Sequence, residues 1–152
     1  MKCLKLIFCL LYFCCSLAEA KEVQVDAQKE VDEMTGRLVA SYLEAKVDED
    51  IIAGYASALR SDGSFPDLDY VTVHEGSSYP AGSHLKRLKL MAIAYRKPGN
   101  KYYNSGRLLK QIVAGIDYWY RVRPKSGNWW FGDIGAPQDY MVPLILLKGK
   151  IS

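Results

Sequence analysis

Between residues 23 and 147 the apolar side chains recur every three or four positions, in segments closed by Gly or Pro. No stretch keeps for long the alternate-residue pattern of a half-buried strand. A chain patterned in this way must pack helices on helices. Val31, Met34, Leu38 and Tyr42 mark a first amphipathic helix between Val23 and Lys46, and Ile51, Ile52, Tyr55 and Leu59 form the expected inward face of a second, from about Asp50 to Arg60. Residues 61–80 hold Gly63, Pro66, Gly76 and Pro80 with several Ser and Asp, the composition of a long loop. Ser83 is the expected cap of a third helix carrying Leu85, Leu88, Ala92 and Tyr95 inward and closed by Pro98-Gly99. A fourth starts near Ser105, carries Leu108, Leu109, Ile112, Ile116 and Trp119, and stops at Pro124. A fifth is expected from Pro137 through Leu147, kinked or shortened by Pro143. The fold class is all-α, built of antiparallel helical hairpins. The ending from Leu144 to Ser152 reads as a helix cut soon after it forms, so the chain is expected to be incomplete.

The first twenty residues read as an export signal. Lys2 and Lys5 supply a basic start, and Ala18-Glu19-Ala20 has the small-x-small form of a cleavage site. The apolar run from Leu6 to Leu17 is about a dozen residues, short of the ~20 that span a bilayer. Cleavage after Ala20 leaves a secreted chain, extracellular or periplasmic, with no membrane attachment, and residues 21–152 form its single domain. Cys3, Cys9, Cys14 and Cys15 are all the cysteines, and all are removed with the signal. The mature domain is therefore held by its apolar core and has no thiol nucleophile or thiolate metal site. The whole sequence carries a formal charge of +3, of which Lys2, Lys5 and Glu19 account for +1. A balance so near neutrality gives no concentrated basic face for nucleic acid, yet permits an acidic polymer as partner. Lys86, Arg87 and Lys89 alternate with leucines and read as a solvated helix face.

The stretch from Pro124 to Phe131 places Trp129, Trp130 and Phe131 directly after a turn of Lys125, Ser126, Gly127 and Asn128. Adjacent side chains in a loop cannot all enter one core, which leaves an indole to face a cleft; the alternative is that both indoles cap a helix pair as core residues. A flat apolar face beside the Asn128 amide suits a sugar ring. Burying a whole Trp removes about 150–250 Å² from water, about 4–6 kcal/mol at ~25 cal/mol per Å². A sugar covering half a face recovers a fraction of that, and immobilising it offsets much of the gain. Such a platform positions a ligand and performs no chemistry.

Reacting groups are sparse. Asp67 or Asp69 with Asp133 would supply two carboxylates, but turn formation and capping account for the loop aspartates, including Asp62, more simply. His74 and His84 lie ten residues apart without metal-ligand spacing, and His84 reads as a partly buried packing residue. No phosphate loop, dinucleotide fingerprint or Gly-x-Ser-x-Gly occurs, and nothing in the motifs calls for a cofactor or a metal.

Several ordered motifs together resemble the N-terminal α-helical domain of the polysaccharide lyase family 8 enzymes, the chondroitin AC, hyaluronate and xanthan lyases. They are Asp62 to Tyr70, His84 to Leu88 with Met91 to Tyr95, Tyr102-Tyr103, Asp117 to Tyr120, and Asn128-Trp129-Trp130 followed by Ile134 to Gln138. The resemblance covers about Ile51 to Leu147. It implies the first part of an incomplete (α/α) toroid, with Asn128, Trp129 and Trp130 as the substrate-binding patch for an acidic polysaccharide such as a glycosaminoglycan or xanthan. The implied reaction is β-elimination at a uronate, for which the family uses an Asn, a His, a Tyr and an Arg. No residue of this sequence matches those four, so no catalytic residue is assigned and the chain is expected to be inactive alone. Its partner is then the remainder of a lyase chain, or else the domain is a stand-alone secreted glycan-binding module.

Overall fold

The computed structural model describes residues 27–151. The expected export signal and the first residues of the expected first helix lie outside them. Two compact units are present, one ending at Ala40 and one starting at Ser41. What is described of the first unit is helical and belongs to helix α1, assigned over residues 27–43. Its stripe of Val31, Met34 and Leu38 is exposed.

In the second unit the helices are α2 (Glu49–Ala58), α3 (Ser83–Arg96), α4 (Gly106–Val122) and α5 (Ala136–Leu146). No strand occurs among the described residues. Helix α3 is the centre, packed against α2, α4 and α5. It can occupy that place because apolar residues surround most of its circumference: Leu85, Leu88, Met91, Ala92, Ile93, Ala94 and Tyr95 are all buried.

Local chemistry sets the boundaries. The Asp48 carboxylate accepts from the Asp50 and Ile51 amides at 3.1 Å each, so α2 begins at Glu49. Its inward face differs from the expected one, since Ile52 is buried and Ile51 is 46% exposed. Ser105 caps α4 through the Leu108 amide, 3.3 Å, and Arg123 ends the helix in the left-handed region at φ 45°. Along α4, Leu108, Ile112, Ile116 and Trp119 are buried as their spacing predicts. Gly115 lets α4 approach α3 closely, because a Cβ there would lie 2.6 Å from Leu88 Cδ2. Helix α3 is entered through a 3₁₀ turn, Pro80–Gly82, so Ser83 is its first residue and not its cap. Pro143 stands inside α5, fully buried, and the helix continues past it to Leu146.

Candidate functional site

The Trp pair does not lie in a loop. Helical backbone starts at Trp129, passes through a π turn over Phe131–Gly135 and becomes α5. Asn128 caps that start: its Oδ1 accepts from the Trp130 amide at 2.9 Å. Trp129 is 67% exposed and Trp130 45%, giving two adjacent indoles on the surface at a helix entrance. Trp130 lies against Gly135, where a Cβ would come within 2.8 Å of the ring, and meets Phe131 edge to face at 5.3 Å.

The loop of residues 61–80 supports this ledge from below. The Gly127 amide donates to the His74 carbonyl at 3.0 Å, and Asn128 Nδ2 donates to the Gly76 carbonyl at 2.8 Å. The Tyr79 hydroxyl donates to the Pro124 carbonyl at 3.0 Å. Glu75 lies so close over Gly127 that an added Cβ would sit 2.5 Å from its carboxylate. The Asn128 amide, read from sequence as a free partner for a ligand, thus already holds two backbone groups. One N–H and one lone pair remain.

The loop is itself fastened to the core. The Phe65 amide donates to the Tyr70 hydroxyl at 3.0 Å, and that hydroxyl lies 2.9 Å from His84 Nδ1. His84 Nε2 faces the Gly115 carbonyl at 2.9 Å. A carbonyl only accepts, so Nε2 carries the proton and Nδ1 accepts from Tyr70. His84 is completely buried, not partly, between the Tyr118 and Trp119 rings at 5.9 and 5.6 Å. Burial pushes its pKa down to about 4, although the bond to Gly115 works in the opposite direction. It is a neutral core histidine.

All three loop aspartates have structural partners. Asp62 accepts from the Ser64 amide and hydroxyl at 2.9 and 2.8 Å. Asp69 accepts from the Val71 and Thr72 amides at 2.9 and 3.0 Å, and hydrogen bonds to Thr72 foremost hold its carboxyl well below the usual range. Asp67 takes a two-pronged ion pair from Arg87, which lowers its pKa. Arg87 is therefore no solvated helix residue: its side chain is 18% exposed and lies over the Phe65 ring at 4.7 Å. Of the expected helix-face cations, Lys89 pairs with Asp139 at 3.7 Å. Asp133 sits exposed in the π turn.

Sequence reasoning missed a cavity of about 240 Å³ beside Trp130. Tyr79, Phe131 and Trp130 give it aromatic walls, and Lys86 and Gln138 stand at its edge. Tyr79 and Phe131 are stacked at 5.7 Å. Their meeting joins residues some fifty positions apart, and no local pattern announces it.

Residues 26–152 match the sequence model of the polysaccharide lyase family 8 N-terminal α-helical domain. The chain is 34% identical over 92 residues to the chondroitinase-AC of Pedobacter heparinus, covering 60% of this chain and 13% of that protein. It is 28% identical over 95 residues to the hyaluronate lyase HylB of Enterococcus faecalis, covering 57% of this chain and 10% of that protein. A solved structure of a chondroitinase AC lyase, from a study of its active site through oligosaccharide complexes and mutagenesis, superposes with a TM-score of 0.68 at 28% identity. That match covers 76% of this chain and 17% of the solved one.

Proposed function

This chain belongs to polysaccharide lyase family 8, and from that membership we propose that Asn128, Trp129 and Trp130 form one wall of the groove through which a uronate-containing polysaccharide passes. The observation that carries the reading is the exposure of both indoles on a helix entrance fixed by Asn128 and by the Gly76 and His74 carbonyls. Large apolar faces left open to water at a rigid site suit the apolar face of a pyranose. The relatives' names supply the polymer class: chondroitin and hyaluronan are acidic glycosaminoglycans.

These residues position the polymer and do not break it. β-Elimination needs a base for the proton next to the uronate carboxylate, a group that neutralises that carboxylate, and an acid for the leaving oxygen. The buried His84 has both ring nitrogens engaged in the core, which supports a division of labour in which the reacting groups lie outside this sequence. Residues 1–20 direct export and are removed.

The test is a titration of the purified chain with hyaluronan or chondroitin hexasaccharides, followed by tryptophan fluorescence and by ultraviolet absorbance of any unsaturated product. Saturable quenching that Trp129→Ala and Trp130→Ala abolish, with no absorbance growth, is the expected result. Turnover by this chain alone, or absence of any response, defeats the reading. A second reading, a stand-alone glycan-binding module, draws on the same exposed ledge. It predicts the same binding and separates from the first when a segment with the family's catalytic residues is added: only in the first does the mixture cleave.

A further inference from the structure

The cavity beside Trp130 has a built apolar wall and a cationic edge. Two glycines that line it seat its rings. A Cβ on Gly82 would lie 2.8 Å from Tyr79 Cδ1, and one on Gly135 would lie 2.8 Å from Trp130 Cζ3. Either side chain would displace the ring it meets, so the positions of these two cavity walls depend on both residues being glycine. At about 240 Å³ the space accepts a single sugar unit.

Its polar groups are few. Asp139 lines it, with its carboxylate held at 3.7 Å by Lys89, three residues along α3 from Lys86. Ser77, Lys86 and Gln138 also line it and form no side-chain hydrogen bond or ion pair with other described residues. The Asp139 charge is offset by Lys89, which leaves Lys86 as the charge facing the space. We propose that Lys86 reads the anionic group of one sugar of the bound polymer in this cavity, with the ring of that sugar against Trp130, so that Lys86 selects acidic over neutral saccharides. The inference rests on the ledge reading and adds to it the residue that discriminates charge. Lys86 is solvent-exposed at the rim, so its contact with an anionic group is a charge-assisted hydrogen bond that salt weakens.

Carboxylate and sulfate present the same chemistry to Lys86, and three hexasaccharides separate them. Unsulfated hyaluronan carries carboxylates only, its carboxyl-reduced form is neutral, and carboxyl-reduced sulfated chondroitin carries sulfate only. Titrating the full chain by tryptophan fluorescence at low salt, we expect the carboxylate form to bind about tenfold more tightly than the neutral one. Lys86→Gln removes that difference and leaves the neutral ligand unchanged, and Lys86→Arg restores most of it. The sulfated ligand follows the carboxylate form if either anion serves, and the neutral form if Lys86 serves carboxylates alone. A Lys86→Gln chain that keeps the full preference, or that weakens charged and neutral ligands equally, overturns the inference while the ledge stands. A wild-type chain that binds none of the three overturns both.

Discussion

The Tyr70 hydroxyl and His84 Nδ1, 2.9 Å apart, tie the long loop to the helical core through a half-buried phenol and a fully buried imidazole. The phenol is itself held by the Phe65 amide and the imidazole by the Gly115 carbonyl, so a single relay links the loop with α3 and α4. The loop then carries the ledge through His74, Gly76 and Tyr79.

This relay makes stability sensitive to mild acid. His84 titrates at about 4 in the folded chain against 6.5 when unfolded, so between those values the unfolded state binds more protons. Stability is full above pH 6.5 and falls as pH drops toward 4, by about 3 kcal/mol in all. The loop aspartates Asp62, Asp67 and Asp69 have lowered pKa values, so their contribution is lost at still lower pH. Urea midpoints at pH 7.5, 6, 5 and 4.5 measure the slope. His84→Leu should flatten it, at a cost of about 2 kcal/mol at pH 7.5 for stranding the Tyr70 hydroxyl and the Gly115 carbonyl.

Gly63→Ala tests how tightly the loop lies on α4. Gly63 has φ +91°, and a Cβ would stand 2.0 Å from the Ala114 carbonyl oxygen, which is backbone and cannot turn aside. The expected loss is about 3 kcal/mol, from positive φ and overlap together, read as a lower urea midpoint with m unchanged.

Arg87→Lys keeps the charge and discards the fork. The guanidinium engages both Asp67 oxygens while lying over the Phe65 and Tyr55 rings at 4.7 and 5.3 Å, which an ammonium cannot do at once. We expect a loss of about 1 kcal/mol, and a double-mutant cycle with Asp67→Asn should show coupling between the two.

The ledge residues should divide by variant. Trp129→Ala removes saccharide binding and changes stability by less than about 0.5 kcal/mol, because the indole is mostly in water. Asn128→Ala costs about 1 kcal/mol through the lost cap. Asn128→Asp keeps an acceptor for the Trp130 amide and gives up the donor to Gly76, so it should retain most of the stability and loosen the ledge on its loop. Thermal unfolding and fluorescence titration of the same samples separate these outcomes.

The helical repeat was legible wherever one face alone meets the core. Helix α4 follows its stripe because Leu108, Ile112, Ile116 and Trp119 are apolar against polar neighbours. In α2 the adjacent Ile51 and Ile52 offer periodicity no choice, and packing selects Ile52. The motif Asn128-Trp129-Trp130 was visible, but its place at a helix entrance was not. Gly132, Asp133 and Gly135 suppress helical propensity there, and a π turn has no sequence signature of its own. The complete burial of His84 has no local signal, because its partners Tyr70 and Gly115 lie 14 and 31 positions away. The cavity at Lys86 depends on rings brought together from the same kind of distance.

The widened turn at Phe131–Gly135 has a consequence for how the surface tolerates change in chain length. A π turn holds one residue more than an α-helical turn, and each residue advances the azimuth by about 100°. Deleting one position within it would let the backbone relax to regular winding with little rotation of what lies upstream relative to the buried Val142 and Leu146, because the widened turn already takes up the extra residue; a deletion in the regular winding of α5 would swing the upstream residues by that angle. Each indole would then keep nearly the bearing it has now, so Phe131–Gly135 is the place between the tryptophans and the buried end of α5 where a change of one residue in length leaves the exposed face in register.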